Sequence, residues 1–308
     1  VAGDILPGLN VNLAKAFGSG VFLATKMPKY YELDSVRNSL EEYTIHEHID
    51  SGGFKDVFLA ERGSEMVVVK LLPIERSSKR RRAKREAEAM TKISSPNFVE
   101  LLDYFELQIE GKPTFLIEEE YIDGPTLSEK IGQGRYGLDF GFQVTEALLD
   151  LLIQFDDLNI IHRDIKPNNI MIDGEGEVIL LDVGIVRFEE RESVTPDHAD
   201  RLGTPNYGAP EQLDYNKSLQ SIRTDIFSTG IVMFESITGQ HPYSNSSKSV
   251  SEAIMDGEKA KMKDILEDDE IAEELDELFN VMTQPKPYAR YRSPEFAKEK
   301  FDEIKELV

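Results

Sequence analysis

Residues 162–169 read HRDIKPNN. One short loop thus carries a carboxylate (Asp164), an ammonium group two residues on (Lys166) and a carboxamide (Asn169). Together such groups can hold a hydroxyl, neutralise a moving phosphoryl group and hold a metal ion. A bare HRD triplet says little. Here it is followed by DVG at 182–184 and by GTPNYGAPE at 203–211, and the ordered series is specific.

Composition sets the frame. The chain has 308 residues, 40% hydrophobic and 30% charged, enough for one large domain or two lobes around a real core. It contains no cysteine, which rules out disulfides and thiolate metal sites and fits a cytoplasmic setting. The apolar stretch 16–25 holds two glycines and is too short to span a bilayer, and no signal peptide is evident, so no membrane contact is expected. The first residue is Val1, consistent with trimming from something longer. A formal net charge of −23 argues against nucleic acid as a partner. The acidic run 264–279 leaves a helical stripe of Ile265, Leu266, Ile271, Leu275 and Leu278, and the basic run 75–86 reads as a solvated helix face.

Outward from the loop, the chain changes character along its length. Glycine-interrupted residues 1–42 read as an N-terminal extension or the remnant of a preceding domain. From Tyr43 a strand reaches a Ser51-Gly52-Gly53 turn and returns through 57–60; Gly63-Ser64 then turns into the β-branched run 66–69 that ends at Lys70. A charged helix with Ala83, Ala87, Met90 and Ile93 inward follows, then strands over 98–107 and 114–121. Beyond Gly124-Pro125 the pattern is mainly helical, with Phe142, Leu148, Leu151, Leu152 and Phe155 marking a long buried helix before the HRD loop.

On these motifs, in this order and spacing, residues 43–305 resemble a eukaryotic-type serine/threonine protein kinase, bacterial members included. The resemblance implies an α+β, two-lobed protein kinase fold: a small β-rich N-lobe with one main helix over 43–122, and a larger, mainly α-helical C-lobe over 123–308. It implies ATP and Mg²⁺ as cofactors and protein substrates phosphorylated on serine or threonine, the chain itself included; a homodimer is compatible with it. Asp164 matches the catalytic aspartate that orients the substrate hydroxyl, Lys166 the charge neutraliser, and Thr204 the threonine that bonds them both. Asn169 and Asp182 match the Mg²⁺ ligands, oxygen donors suited to a hard cation. Lys70 matches the lysine on the α and β phosphates, with Glu86, chosen over Glu88, as its helix partner. The nucleotide surroundings fall on Ile49, Gly52, Gly53, Val57, Val68, Glu120, Ile122 and Met171.

The same comparison shows departures. Where G-x-G-x-x-G would stand, the chain has Asp50, Gly52 and Lys55, so only the middle glycine survives and Lys55 partly offsets Asp50. Val68 replaces the usual alanine near adenine. Glu119 occupies the apolar position before the hinge, where it must find a partner or shift its pKa; competition with Glu86 for Lys70 is the expected consequence.

Structural pairings are implied as well: Glu211 with Arg290, Asp225 with the HRD backbone, and a packed column of Leu101, Met90, Val183 and His162. In the activation segment, Arg163 and Arg187 would receive a loop anion, and Asp200 stands where a phosphothreonine often sits, with Ser193 and Thr195 nearby. The expected function is therefore an active protein serine/threonine kinase. The alternatives are a pseudokinase acting as a nucleotide-sensing scaffold and a small-molecule phosphotransferase of related fold, the latter opposed by Ala-Pro-Glu at 209–211.

Overall fold

The computed structural model describes residues 30–52, 55–182, 206–244 and 247–308. Five antiparallel strands, β1 (Tyr43–Gly52), β2 (Lys55–Arg62), β3 (Glu65–Pro73), β4 (Leu101–Ile109) and β5 (Lys112–Glu120), form one sheet in the order β1-β2-β3-β5-β4. The β2–β3 connection turns through Gly63, whose φ of 69° suits glycine.

Period-two alternation explains why β3 reads as an unbroken apolar run: both of its faces are covered. Val67, Val69 and Leu71 join Phe58, Ala60 and Leu116 under a short helix, α1 (Leu33–Ser39), which contributes Val36. Leu72, on the other face, packs with Phe115 and Ile117 against Ala83 and Ala87 of α2 (Ser77–Met90). Lys70 shares that second face with Val68 and Leu72. The same alternation splits the triple glutamate of β5. Glu118 turns toward the α1 side, where Tyr43 Oη (2.6 Å) and Arg62 hold it; Glu119 turns toward the cleft.

The chain before Tyr43 is therefore packed on the sheet from Tyr30 onward. Tyr31 is buried, and its hydroxyl lies 2.8 Å from Thr114 Oγ1. Two boundaries differ from expectation. Phe98 and Val99 leave the sheet: Val99 N–H donates to Leu180 O (3.1 Å), and both side chains enter the helical core. Ile93 lies past the end of α2, packed at the margin of that same core.

After the connection, Thr126 caps α3 (Leu127–Gly132), its hydroxyl accepting from Glu129 N–H (3.2 Å) while Glu129 returns a bond to Thr126 N–H (2.9 Å). The helical lobe is built on α4 (Leu138–Asp157) and α6 (Ile222–Thr238), which α8 (Asp269–Met282) and α9 (Pro294–Lys305) flank. Buried on nearly every side, α6 is a central helix. Gly141 lets α4 approach it: a methyl there would collide with Ile237 Cγ1. The acidic run forms α8 only from Asp269, since Asp268 caps it by accepting from Glu270 and Ile271 N–H; Ile265 and Leu266 pack in the turn before. Among the described residues, no helix is long and apolar enough to cross a membrane.

Candidate active site

The HRD loop leaves α4 and enters a short hairpin, β6 (Ile170–Ile172) with β7 (Val178–Leu180). Antiparallel pairing returns the chain to its start: Leu181 N–H donates to Asn169 O (2.8 Å), which brings Asn169 beside Asp182 although twelve residues separate them. Arg163 adopts a φ of 68° and Asp182 one of 57°, a region that aspartate tolerates better than most residues.

Asp225 holds the loop from below. Its two carboxylate oxygens accept from His162 N–H and Arg163 N–H, each at 2.7 Å, as the sequence implied. Burial pushes the Asp225 carboxyl up to about 7, opposed by those two backbone donors. Gln212 Nε2, on α5 (Pro210–Leu213), adds a bond to Arg163 O (2.9 Å). His162 is buried, which lowers its pKa; the neutral ring accepts from Asp164 N–H at Nδ1 (3.2 Å) and donates from Nε2 to Leu181 O (3.2 Å). Glu211 and Arg290 form the expected buried bridge, with two bonds of 2.7 and 2.9 Å.

On top of this base the three expected catalytic-loop groups meet. Lys166 Nζ lies 3.1 Å from both oxygens of Asp164. Asn169 Nδ2 donates to Asp164 O (2.8 Å) and Oδ2 (2.7 Å), which leaves its amide oxygen as the acceptor. Asn169 and Asp182 thus offer two hard oxygen donors, and among the described residues no group of three or more His, Cys, Asp or Glu is arranged to hold a metal ion. Such a set suits Mg²⁺, which keeps waters and takes phosphate oxygens rather than a full protein cage.

On the upper wall of the cleft, the expected competition for Lys70 goes to Glu119. Lys70 does not pair with Glu86. Its ammonium is held by Glu119 and by Asp182. Register is the cause: Val68 stands opposite Glu119, so Lys70, two residues along the same face, is its diagonal neighbour. Glu86 is buried with Oε2 left without a hydrogen-bond partner, and burial pushes its carboxyl up to about 8. Burial also raises Glu119, opposed by Lys70. At Lys70 the order reverses: burial disfavours the ammonium, but Asp182 and Glu119 outweigh it and the pKa rises.

Lys55 is the contributor that sequence reading undervalued. Its Nζ reaches both Asp182 oxygens, at 2.8 and 2.7 Å. Against the cost of burial, Lys55 and Lys70 together hold Asp182 well below the usual carboxylate range. The signal was its place at the third position of the glycine pattern. Asp56 was missed outright: fully buried, it accepts from Tyr30 N–H (2.8 Å), Tyr31 N–H (3.2 Å) and Ser51 Oγ (2.6 Å).

The remaining nucleotide candidates line the cleft in part. Val57, Val68, Ile122 and Met171 are buried, whereas Ile49 and Glu120 are half-buried. Gly52 pairs with Lys55 at the end of the β1–β2 ladder. Met90 and Leu101 pack in the core that reaches His162 through Phe155, stacked on the imidazole at 6.1 Å. Gly53, Val183, Gly184, Arg187, Ser193, Thr195, Asp200, Gly203 and Thr204 lie outside the described residues.

Comparison with known proteins agrees with this geometry. A family model described as protein kinase domain matches residues 43–301. A probable serine/threonine-protein kinase PknB of Lactococcus lactis is 31% identical over 67% of this chain and 33% of its own length. Serine/threonine-protein kinase PrkC of Bacillus subtilis is 31% identical over 67% and 32%. A probable serine/threonine-protein kinase of Streptomyces coelicolor is 30% identical over 82% and 38%. The chain spans about a third of the length of these relatives.

Proposed function

The chain belongs to the protein kinase domain family, and from that premise we propose that it is an ATP- and Mg²⁺-dependent protein serine/threonine kinase that also phosphorylates itself. The observation that carries this reading is the Asp164 carboxylate held between Lys166 Nζ (3.1 Å) and Asn169 Nδ2 (2.7 Å), on a loop anchored by buried Asp225. Asp164 accepts the hydrogen bond of a substrate hydroxyl and orients it for attack. Lys166 offsets charge on the transferred phosphoryl group, and Asn169 and Asp182 hold the metal by oxygen. Mg²⁺ held there would supply charge neutralisation for the phosphates. Val57, Val68, Ile122 and Met171 form the apolar surface for adenine. Dependence on ATP goes with a cytoplasmic setting, and protein serine or threonine side chains are the acceptors.

Phosphoamino-acid analysis of the chain after incubation with labelled ATP and MgCl₂ tests this. Label in phosphoserine and phosphothreonine is expected. Label in phosphotyrosine alone, or only in a small molecule, contradicts it.

A further inference from the structure

We infer that Lys55, rather than Lys70, is the principal ammonium group presented to the phosphates of a bound nucleoside triphosphate. The inference rests on the nucleotide-dependent phosphotransfer proposed above and changes which residue binds the phosphates. The resemblance gives that task to Lys70.

Alternation places Lys55 on the correct face. Val57 stands opposite Lys70 in the β2–β3 ladder, and Lys55 is two residues before Val57, so both lysines project from the cleft side of the sheet. They are not equally available. The Lys70 side chain is 6% exposed and committed to Glu119, itself 3% exposed, as well as to Asp182. The Lys55 side chain is 23% exposed and bonded to Asp182. Any cation that takes the Asp182 carboxylate therefore releases Lys55 and leaves Lys70 still paired with Glu119.

Lys55 also has a fixed base. Asp56 faces the opposite side of the sheet and is fully buried, accepting from Tyr30 N–H, Tyr31 N–H and Ser51 Oγ. These bonds pin the first residues of β2, so the ammonium is positioned before a ligand arrives and less ordering entropy is lost on binding. Charge balance points the same way. Glu119 adds a carboxylate beside Lys70, and Lys55 restores the positive charge that a polyphosphate needs.

The test is ATP binding by the full chain, measured calorimetrically with MgCl₂ and with EDTA. Wild type is compared with Lys55→Met, Lys55→Arg, Lys70→Met and the double variant Lys55→Met/Glu119→Met, with thermal unfolding of each without ATP as a folding control. Lys55→Met is expected to lose at least tenfold in affinity and Lys70→Met less. Lys55→Arg should retain most of it, and the double variant should recover part of the loss because Lys70 is freed from Glu119. Wild-type affinity in folded Lys55→Met, with the loss confined to Lys70→Met, overturns the inference even if Asp164-dependent phosphorylation stands. ATP binding that follows this pattern without any phosphotransfer supports it while removing the kinase reading.

Discussion

Glu119 on β5 holds the ammonium of Lys70 on β3, while Glu86 on α2 stays outside the pair with a buried oxygen lacking a partner. Neighbouring charged groups couple energetically in proportion to their contact, by about 0.5–3 kcal/mol. Double-mutant cycles read by urea denaturation should therefore give about 1–3 kcal/mol for Lys70 with Glu119 and under about 0.5 kcal/mol for Lys70 with Glu86. The reverse ranking contradicts the geometry.

The buried Glu86 carboxyl makes stability depend on pH. Burial raises its pKa from 4.5 to about 8, so between those values the folded chain holds a proton that the unfolded chain has released. Stability from this group is fully present below 4.5 and falls as pH rises toward 8, by about 1.4 kcal/mol per pH unit at most. Asp225, raised to about 7, acts in the same direction and is common to wild type and variant. Urea denaturation at pH 5.5, 6.5 and 7.5 should show wild type losing about 1 kcal/mol more per pH unit than Glu86→Gln. Parallel pH slopes would remove the assignment.

Two ion pairs in the chain should differ sharply in worth. Glu211 and Arg290 are almost fully buried, and Arg290 also lies over the Phe227 ring at 4.7 Å. Removing one partner leaves a buried charge, so Arg290→Ala is expected to cost about 3–5 kcal/mol. Lys84 and Glu88 sit exposed one helical turn apart on α2, and Lys84→Ala should cost under about 0.5 kcal/mol. Denaturation midpoints of the two variants check the contrast.

Much of this was legible because its determinants are local. HRDIKPNN and the hairpin after it bring Asp164, Asn169 and Asp182 together through short-range pairing, so order and spacing carry the geometry. Glu211 with Arg290 and Asp225 with the loop backbone followed from the family pattern. The outcome of the expected competition between Glu119 and Glu86 for Lys70 did not. It depends on the β3–β5 register, which sets Val68 against Glu119, and no single strand reveals that register. Helix α1 was also hidden: within it only Val36 is buried, too little for an apolar period, and the residues just before it, Tyr30 and Tyr31, are tied by backbone N–H bonds to the distant Asp56. Lys55 looked like a compensating charge because its contact, Asp182, lies 127 residues away.

Under the proposed function, Asp164 serves phosphoryl transfer from ATP to protein hydroxyls. Its most direct measurement is incorporation of labelled phosphate into the chain and into a serine- and threonine-containing acceptor protein, for wild type and Asp164→Asn, alongside ATP affinity. Labelling by wild type is expected, with a loss of about 10²–10⁴-fold in Asp164→Asn and ATP affinity within about threefold of wild type. Equal labelling by the two proteins, or ATP binding by wild type with no labelling at all, would contradict it.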